Sequence, residues 1–409
     1  AGRGASAARA LWGHGRNTRR LLVAAELALS VVLLIGAGLL VRSFNALQRV
    51  SPGFDPEGVL TFELSMNGPK YEQPQRVIDA YREIWRRLET VPGVEAAGGV
   101  SALPLSQMFA WGPITVEGRT PPSGEQFINV DMRAAGGNYF QAMGIPLLEG
   151  RLFDERDVLA APRVVVIDDR MAAELWPNQS PVGKRLHRGG VTETAAPWMT
   201  VVGVVGRIKQ YTLDGDSRIA MYFPHTQFPW RAMNAVVKSG RDPGGLAATV
   251  AGELQAIDPD LPMYRVLTMS ARVDESLARR RFSMLLLTLF AGLAFGLAAV
   301  GIYGVMSYVV TQGTRELGIR LALGASPQAI VRLIVGHGML VALAGVGLGV
   351  GAALAGSRVM ESLLFAVAPR DPLTFVTIPI GLGLVALLAC YAPARRAARI
   401  DPVVSLRSE

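Results

Sequence analysis

A membrane protein of four transmembrane α-helices, with a large extracytoplasmic α+β domain inserted between the first and second, is the architecture this sequence predicts. Three observations carry it. The chain of 409 residues is 50% hydrophobic and only 18% charged, with a mean hydropathy of +0.30, too apolar for a soluble protein of its size. Four apolar runs, Leu21–Val41, Phe282–Val310, Ile330–Leu354 and about Leu373–Tyr391, have membrane length. Between the first two, residues 44–281 turn polar and mixed, rich in proline and glycine, with no further run of that length.

In chain order the prediction is a basic cytoplasmic segment (1–20), a first span (21–43), the inserted domain (44–281), a second span (282–310), a cytoplasmic loop (311–329), a third span (330–354), a short outer loop (355–372), a fourth span (373–391) and a cytoplasmic tail (392–409). The first run ends in L-V-R-S-F, without small residues at the cleavage spacing of a signal peptide, so it reads as a signal anchor. Its flank carries Arg3, Arg9, Arg16, Arg19 and Arg20, and the tail carries Arg395, Arg396, Arg399 and Arg407. Basic flanks stay inside, so both termini and the 311–329 loop are expected in the cytoplasm and the large domain outside. A net charge of +8 and a pI near 9.9 are largely accounted for by that topology, and with no recognition motif a nucleic-acid partner is excluded. The one cysteine, Cys390, lies in an apolar run and forms no intrachain disulfide.

Within the inserted domain, Ile78, Tyr81, Ile84, Trp85 and Leu88 recur at helical spacing, predicting an amphipathic helix over 75–91. Strands are predicted at 59–66, 112–116, 128–132, 164–167, 199–205 and 235–238, and helices at 138–143, 169–175 and 246–257. The alternation suggests an α+β domain of two lobes, with 183–198 as its longest irregular stretch.

The most informative segment is the link from Thr314 to Pro327, T-R-E-L-G-I-R-L-A-L-G-A-S-P. A helix from Gly313 would place Leu317, Leu321 and Ala325 along one stripe, with Arg315, Glu316, Ile319 and Arg320 around it. Spacing alone leaves two readings open, a surface helix whose arginines bind lipid phosphates and a docking element for another protein. Gly318 and Gly324 cost a helix about 1 kcal/mol each relative to alanine, which serves close seating against a partner and does nothing for a lipid anchor.

R-E-L-G-I-R-L-A-L-G-A-S resembles the coupling-helix region of MacB/FtsX-type ABC transporter permeases. The segments N-Y-F-Q-A-M-G-I-P-L-L-E-G-R-L-F (138–153), W-P-N-Q-S-P-V-G-K-R-L (176–186) and V-V-G-V-V-G-R-I-K (201–209) are similar to that family's periplasmic core domain, and the tail 393–407 to its usual ending. The resemblance implies a bacterial inner-membrane permease that couples hydrolysis by a separate cytoplasmic ABC ATPase to movement of the outer domain. It implies a second permease unit, as a homodimer or a covalent duplicate, and a periplasmic partner besides the bilayer itself. The arginine-rich start without methionine fits the C-terminal half of a duplicated permease of the ADOP type. By the same resemblance, Arg315, Glu316, Leu317, Gly318, Ile319, Arg320, Leu323, Gly324 and Ala325 form the ATPase-coupling set.

Arg279, Arg280 and Arg281 are expected to mark a hinge where the domain meets the second span, with outer-leaflet lipid as the alternative contact. Gly292 and Gly296, and Gly345 and Gly349 among the glycines of the third span, have the small-xxx-small spacing of close helix packing, in the bundle or between permease units. Glu26 reads as a carboxylate near enough to the cytoplasmic end to snorkel or pair, and His337 and Arg332 as interfacial or helix-contact residues. His14, His187 and His225 lack ligand spacing, so no metal site is expected. No G-x-x-x-x-G-K-[ST], G-x-S-x-G or H-E-x-x-H occurs, so no catalytic residue and no cofactor is expected in this chain, ATP and magnesium being the partner's. The alternative to a permease is a membrane-anchored sensor or scaffold, or a regulator of an envelope enzyme.

Overall fold

The computed structural model describes residues 4–106, 108, 110–119, 127–190, 196–323 and 325–399; the side chains of residues 4–20, 315, 316, 321, 322, 362 and 363 lie outside that description. Arg3, the side chains of the other amino-terminal arginines, Gly324 and the tail from Ile400 are therefore not described. In chain order the elements are α1 (Gly4–Leu47), β1 (Val59–Ser65), α2 (Pro74–Glu89), β2 (Val94–Val100), β3 (Trp111–Val116), β4 (Ile128–Gly137), α3 (Tyr139–Ala142), β5 (Leu147–Gly150), β6 (Val164–Asp168), α4 (Asp169–Leu175), β7 (Arg185–Arg188), β8 (Met199–Val205), β9 (Ala220–Pro224), β10 (Ala232–Ser239), α5 (Ala247–Ile257), β11 (Tyr264–Thr268), α6 (Met269–Ala322), α7 (Pro327–Gly356) and α8 (Pro372–Ala397). They form two compact units, Val50–Ala278 and the remainder.

The inserted unit is built on one eleven-stranded sheet in the order β11-β1-β10-β2-β4-β3-β7-β8-β6-β9, with β5 paired to β8. Its second half closes on itself, because β9 returns parallel to β4 from Asp131↔Ala220 to Ala135↔Pro224. Strand β4 is long enough to serve both halves: its end, Ala135–Gly137, pairs with β2. Each half has its own core. Helix α2 lays Val77, Tyr81, Ile84, Trp85 and Leu88 on Leu60, Phe62, Leu64, Ala235 and Val237, and α5 adds Val250 and Leu254. The closed half buries Ile114, Val130, Val165, Ile167, Val201 and Met221 with Met171 and Leu175 of α4.

Strand β2 has almost no strand propensity in its sequence, V-E-A-A-G-G-V. It is a strand because Gly99 lets the Trp85 ring lie on bare backbone, where an added Cβ would come within 2.8 Å of the indole. The stretch expected to be irregular, 183–198, contains β7, paired with β3 and β8.

Helices α1, α6, α7 and α8, the second of which begins in the inserted unit, each contain a segment apolar enough to cross a membrane: Leu21–Leu47, Met269–Thr314, Pro327–Glu361 and Pro372–Ala397. Every fourth residue of α1, Val23, Leu27, Val31, Ile35 and Leu39, is buried in a common core with Ala298, Ile302, Met306 and Val310 of α6 and Leu382, Ala386, Cys390 and Ala394 of α8. These four-residue rows are the ridges that helices interdigitate. The opposite face of α6 presents Phe282, Leu285, Leu289, Leu293 and Leu297 outward, as lipid or a further apolar surface requires.

Candidate functional site

At 54 residues, about 80 Å at 1.5 Å per residue, α6 is far longer than a bilayer core. Its first turns are built into the inserted unit. Arg272, 3% exposed, donates from Nε to the Thr61 hydroxyl of β1 (2.6 Å) and from Nη2 to the Arg265 carbonyl (2.9 Å), and the Ser270 hydroxyl donates to the Pro56 carbonyl (3.0 Å). Arg272 is a functional candidate the sequence reading missed, since one arginine near four others carries no distinguishing signal.

The other end of α6 is the charged link. The sequence reading set 311–329 apart as a loop carrying a helix from Gly313; in the structure that helix is continuous with the second span, α6 running without a break through Ala322. Thr314 donates its hydroxyl back to the carbonyls of Val310 (3.1 Å) and Thr311 (2.8 Å), and Leu317 anchors the last turns. The turn that follows is short. The Ala325 amide donates to the Arg320 carbonyl (3.0 Å), and the Ser326 hydroxyl caps α7 by accepting from the Ala329 amide (3.3 Å), with Pro327 in the first turn.

This geometry divides the expected coupling set. Leu317, 7% exposed, belongs to the bundle core with Ile330 and Ala397, and Gly318 is buried too. The structure places both in this chain's own packing, where a buried residue has no surface to offer a partner. Ala325 packs partly against the same core. Ile319 (43% exposed), Arg320 and Leu323 (82% exposed) point outward, at spacings that share one helical face. Arg315 and Glu316 lie on the helix, their side chains outside the description, and Gly324 lies outside it altogether.

Of the packing glycines, Gly345 and Gly349 face α1. A Cβ on Gly345 would stand 2.8 Å from the Ala24 carbonyl oxygen and 2.8 Å from Leu27 Cβ, and one on Gly349 would stand 2.6 Å from Val31 Cβ. Gly292 and Gly296 have nothing within 4 Å of a Cβ, so a role packing this chain's own bundle is corrected: they sit on the outward face of α6. Arg279–Arg281 lie within unbroken helix at the boundary between the two units, so a hinge there would be a bend of α6 rather than a loop. The Glu26 carboxylate lies over Gly301 of α6, where a Cβ would come within 2.7 Å of it.

The inserted unit holds a buried polar network that sequence reading also missed, although the N-V-D-M-R alternation in β4 is its signal. Asp131 and Arg133 are both buried, with Asp131 Oδ2 4.0 Å from Arg133 Nη2, and the Tyr211 hydroxyl donates to Asp131. Burial pushes the Asp131 carboxyl up, against the pull of Tyr211 and the two arginines Arg133 and Arg218. A cavity of about 410 Å³ opens elsewhere on this unit between α2, the end of β4 and residues 153–155, with Trp85, Phe153 and His225 in its wall. Among the described residues no group of three His, Cys, Asp or Glu side chains gathers as a metal site.

Residues 22–253 match the model of the MacB-like periplasmic core domain, and residues 288–402 that of the FtsX-like permease C-terminal region. The chain belongs to the MacB/FtsX-type ABC permease family. It is 30% identical over 297 residues to the macrolide export ATP-binding/permease protein MacB of Sodalis glossinidius, covering 69% of this chain and 44% of that protein. To MacB of Bartonella henselae it is 25% identical over 356 residues, 84% of this chain and 50% of that one. The chain thus spans about half the length of the curated relatives it matches. Among solved structures, the periplasmic region of MacB from Actinobacillus actinomycetemcomitans aligns with 57% of this chain and 98% of its own, at 16% identity and a TM-score of 0.37. By the family match over residues 22–253, the inserted unit of this MacB/FtsX-type permease is its periplasmic core domain, and the four apolar helices are its candidate transmembrane spans.

Proposed function

We propose that this chain is a permease of a bacterial inner membrane that converts ATP hydrolysis, carried out outside these 409 residues by an ABC ATPase, into movement of its periplasmic domain. One observation carries the reading: α6 is a single helix whose first turns are pinned into the periplasmic domain by Arg272 and whose last turns are pinned into the bundle by Leu317. A helix held at both ends transmits displacement along its axis, because its backbone hydrogen bonds resist compression and bending more than side-chain contacts resist sliding.

In this mechanism the ATPase seats on the face formed by Ile319, Arg320 and Leu323. The apolar pair supplies buried area and Arg320, with Arg315 and Glu316, orients the partner. ATP and magnesium bind on that partner. Both termini and the link face the cytoplasm. A second permease unit, as another copy or a covalent duplicate, meets the outward face of α6 around Gly292 and Gly296, where the bare backbone admits close approach. Closure of the ATPase then shifts α6 and α7 together, since the short turn between them leaves no slack, and the outer domain acts on a substrate or a periplasmic partner.

Arg320→Glu is expected to leave folding intact and to uncouple hydrolysis from outer-domain movement. The readout is nucleotide-dependent distance change between spin labels on the paired periplasmic domains of the reconstituted complex. Unchanged coupling in the variant would count against the assignment.

A further inference from the structure

Within the periplasmic domain a cavity of about 360 Å³ is lined by Ser51, Pro52, Arg170, Lys209 and their neighbours. Four cationic side chains reach it, Arg170, Arg207, Lys209 and Arg218, against two carboxylates, Asp168 and Asp216. Asp168 is committed elsewhere: its oxygens accept from the amides of Met171 (2.7 Å) and Ala220 (3.1 Å). The cations are only partly answered. Arg207 stands 3.8 Å from Asp169 and Arg218 3.9 Å from Asp131, both loose pairs. Arg170 and Lys209 have no carboxylate within 4 Å among the described residues.

What those two do have are neutral ties that fix their position. Arg170 donates to the Ser217 carbonyl (2.6 Å) and Lys209 to the Gly215 carbonyl (2.9 Å). A carbonyl holds a cation in place without neutralising it, and each group keeps further N–H donors for another acceptor. Arg170 feels the Asp168 carboxylate without a close ion pair to it, and cations that are half-buried and held still by carbonyls, outnumbering the carboxylates of their cavity, describe a site for an anion supplied from outside the chain.

The position of this cavity in the chain indicates which anion. Ser51 follows Leu47, the last residue of α1, by so few residues that the wall of the cavity is tethered within about 14 Å of the end of that helix, whatever pose the two units take. The segment is held there. The Lys209 amide donates to the Pro52 carbonyl (2.8 Å), and Gly53, at φ +83°, packs so closely that a Cβ would come within 2.2 Å of the Arg207 carbonyl oxygen. Chain length alone therefore keeps Ser51, and with it one wall of the cavity, within reach of a phospholipid headgroup layer when α1 crosses the bilayer as its apolar composition requires.

We propose that the cavity between the post-span segment and the 207–218 loop binds the phosphate of an anionic phospholipid headgroup, with Arg170, Arg207 and Lys209 as its donors. A phosphate offers several acceptors to converging donors and matches the guanidinium fork, in a cavity where four cations face two carboxylates. The site anchors the domain to the membrane surface and requires nothing of the ATPase-facing end, so either reading can fail without the other.

The test is amide hydrogen exchange on the full chain in nanodiscs, comparing discs of phosphatidylcholine alone with discs in which about half the lipid is phosphatidylglycerol. Phosphatidylglycerol is expected to slow exchange in the 207–218 loop several-fold and to do so much less in Arg207→Gln and in Lys209→Gln, with β6 and β8 unchanged in every case as the control for folding. Inorganic phosphate added to the phosphatidylcholine discs is expected not to reproduce the effect. Equal protection by inorganic phosphate would assign the site to a free anion and overturn the lipid reading. No protection by phosphatidylglycerol, or protection undiminished in both variants, would overturn the site itself.

Discussion

Asp168 shows how one buried side chain sets a pH dependence. It ends β6, caps α4 and also accepts from β9, and burial pushes its carboxyl from an ordinary 3.8 up to about 7 despite both backbone donors. The native state therefore keeps a proton that the unfolded chain releases, so this group's contribution to stability falls as pH rises from about 4 to about 7 and stays low above that. Asp168→Asn removes the titration while giving up one charged acceptor, a roughly constant loss of about 1 kcal/mol. Thermal unfolding of the two proteins side by side is expected to show the variant gaining on the wild type as pH rises through that window. A difference that stays flat with pH would show that Asp168 is not the titrating group. Leu317 and Leu323 make a second point at this scale: both are leucines of one short helix segment, yet one is core and the other surface. The helical stripe through Leu317 was readable in the sequence, but that it faces this chain's own core became readable only with the packing of α6, which ends one residue before Leu323.

Among the elements, α1 and α7 approach each other closely through the glycines of α7. Gly349→Ala puts a methyl group where Val31 Cβ and the Ala28 carbonyl oxygen lie 2.6 and 2.7 Å away, so the helices must part. A loss of about 1–3 kcal/mol in the unfolding of the detergent-solubilised protein is expected. Gly351→Ala is the control, since nothing lies within 4 Å of its added methyl, and it is expected to fall within about 1 kcal/mol of wild type. Equal effects of the two would refute the assignment of Gly349 to the interface. The spans were legible in the sequence because twenty or so apolar residues have few other uses, and α2 was legible because its buried residues keep a clean 3.6-residue period. The helix of the link was legible from Gly313 onward, but its continuity with the second span was not, because the apolar run stops before Gly313 and three charged residues follow; anchoring by Leu317 in the bundle core accompanies the unbroken helix. Strand β2 was illegible for the same kind of reason, its glycines being demanded by the Trp85 ring rather than by a turn.

For the whole molecule, composition alone exposed the division into a membrane bundle and an inserted domain, whereas the closure of β4 against β9 and the gathering of Ser51, Arg170 and Lys209 around one cavity depend on long-range pairing that no local pattern encodes. The same holds for the candidate coupling face. The residue types pointed to docking, but which of them face outward was decided by the packing of α6 in the bundle. The central claim is that this face receives an ATPase, and site-specific photocrosslinking tests it most directly. A benzophenone amino acid replaces Leu323 in the full chain in native membranes, and in a second sample replaces Val359, which is equally exposed in the segment after α7. The account predicts an adduct at position 323 whose peptides belong to an ABC-type ATP-binding domain, and no such adduct at position 359. Absence of that domain from the adducts at 323, or its equal capture at both positions, would contradict it.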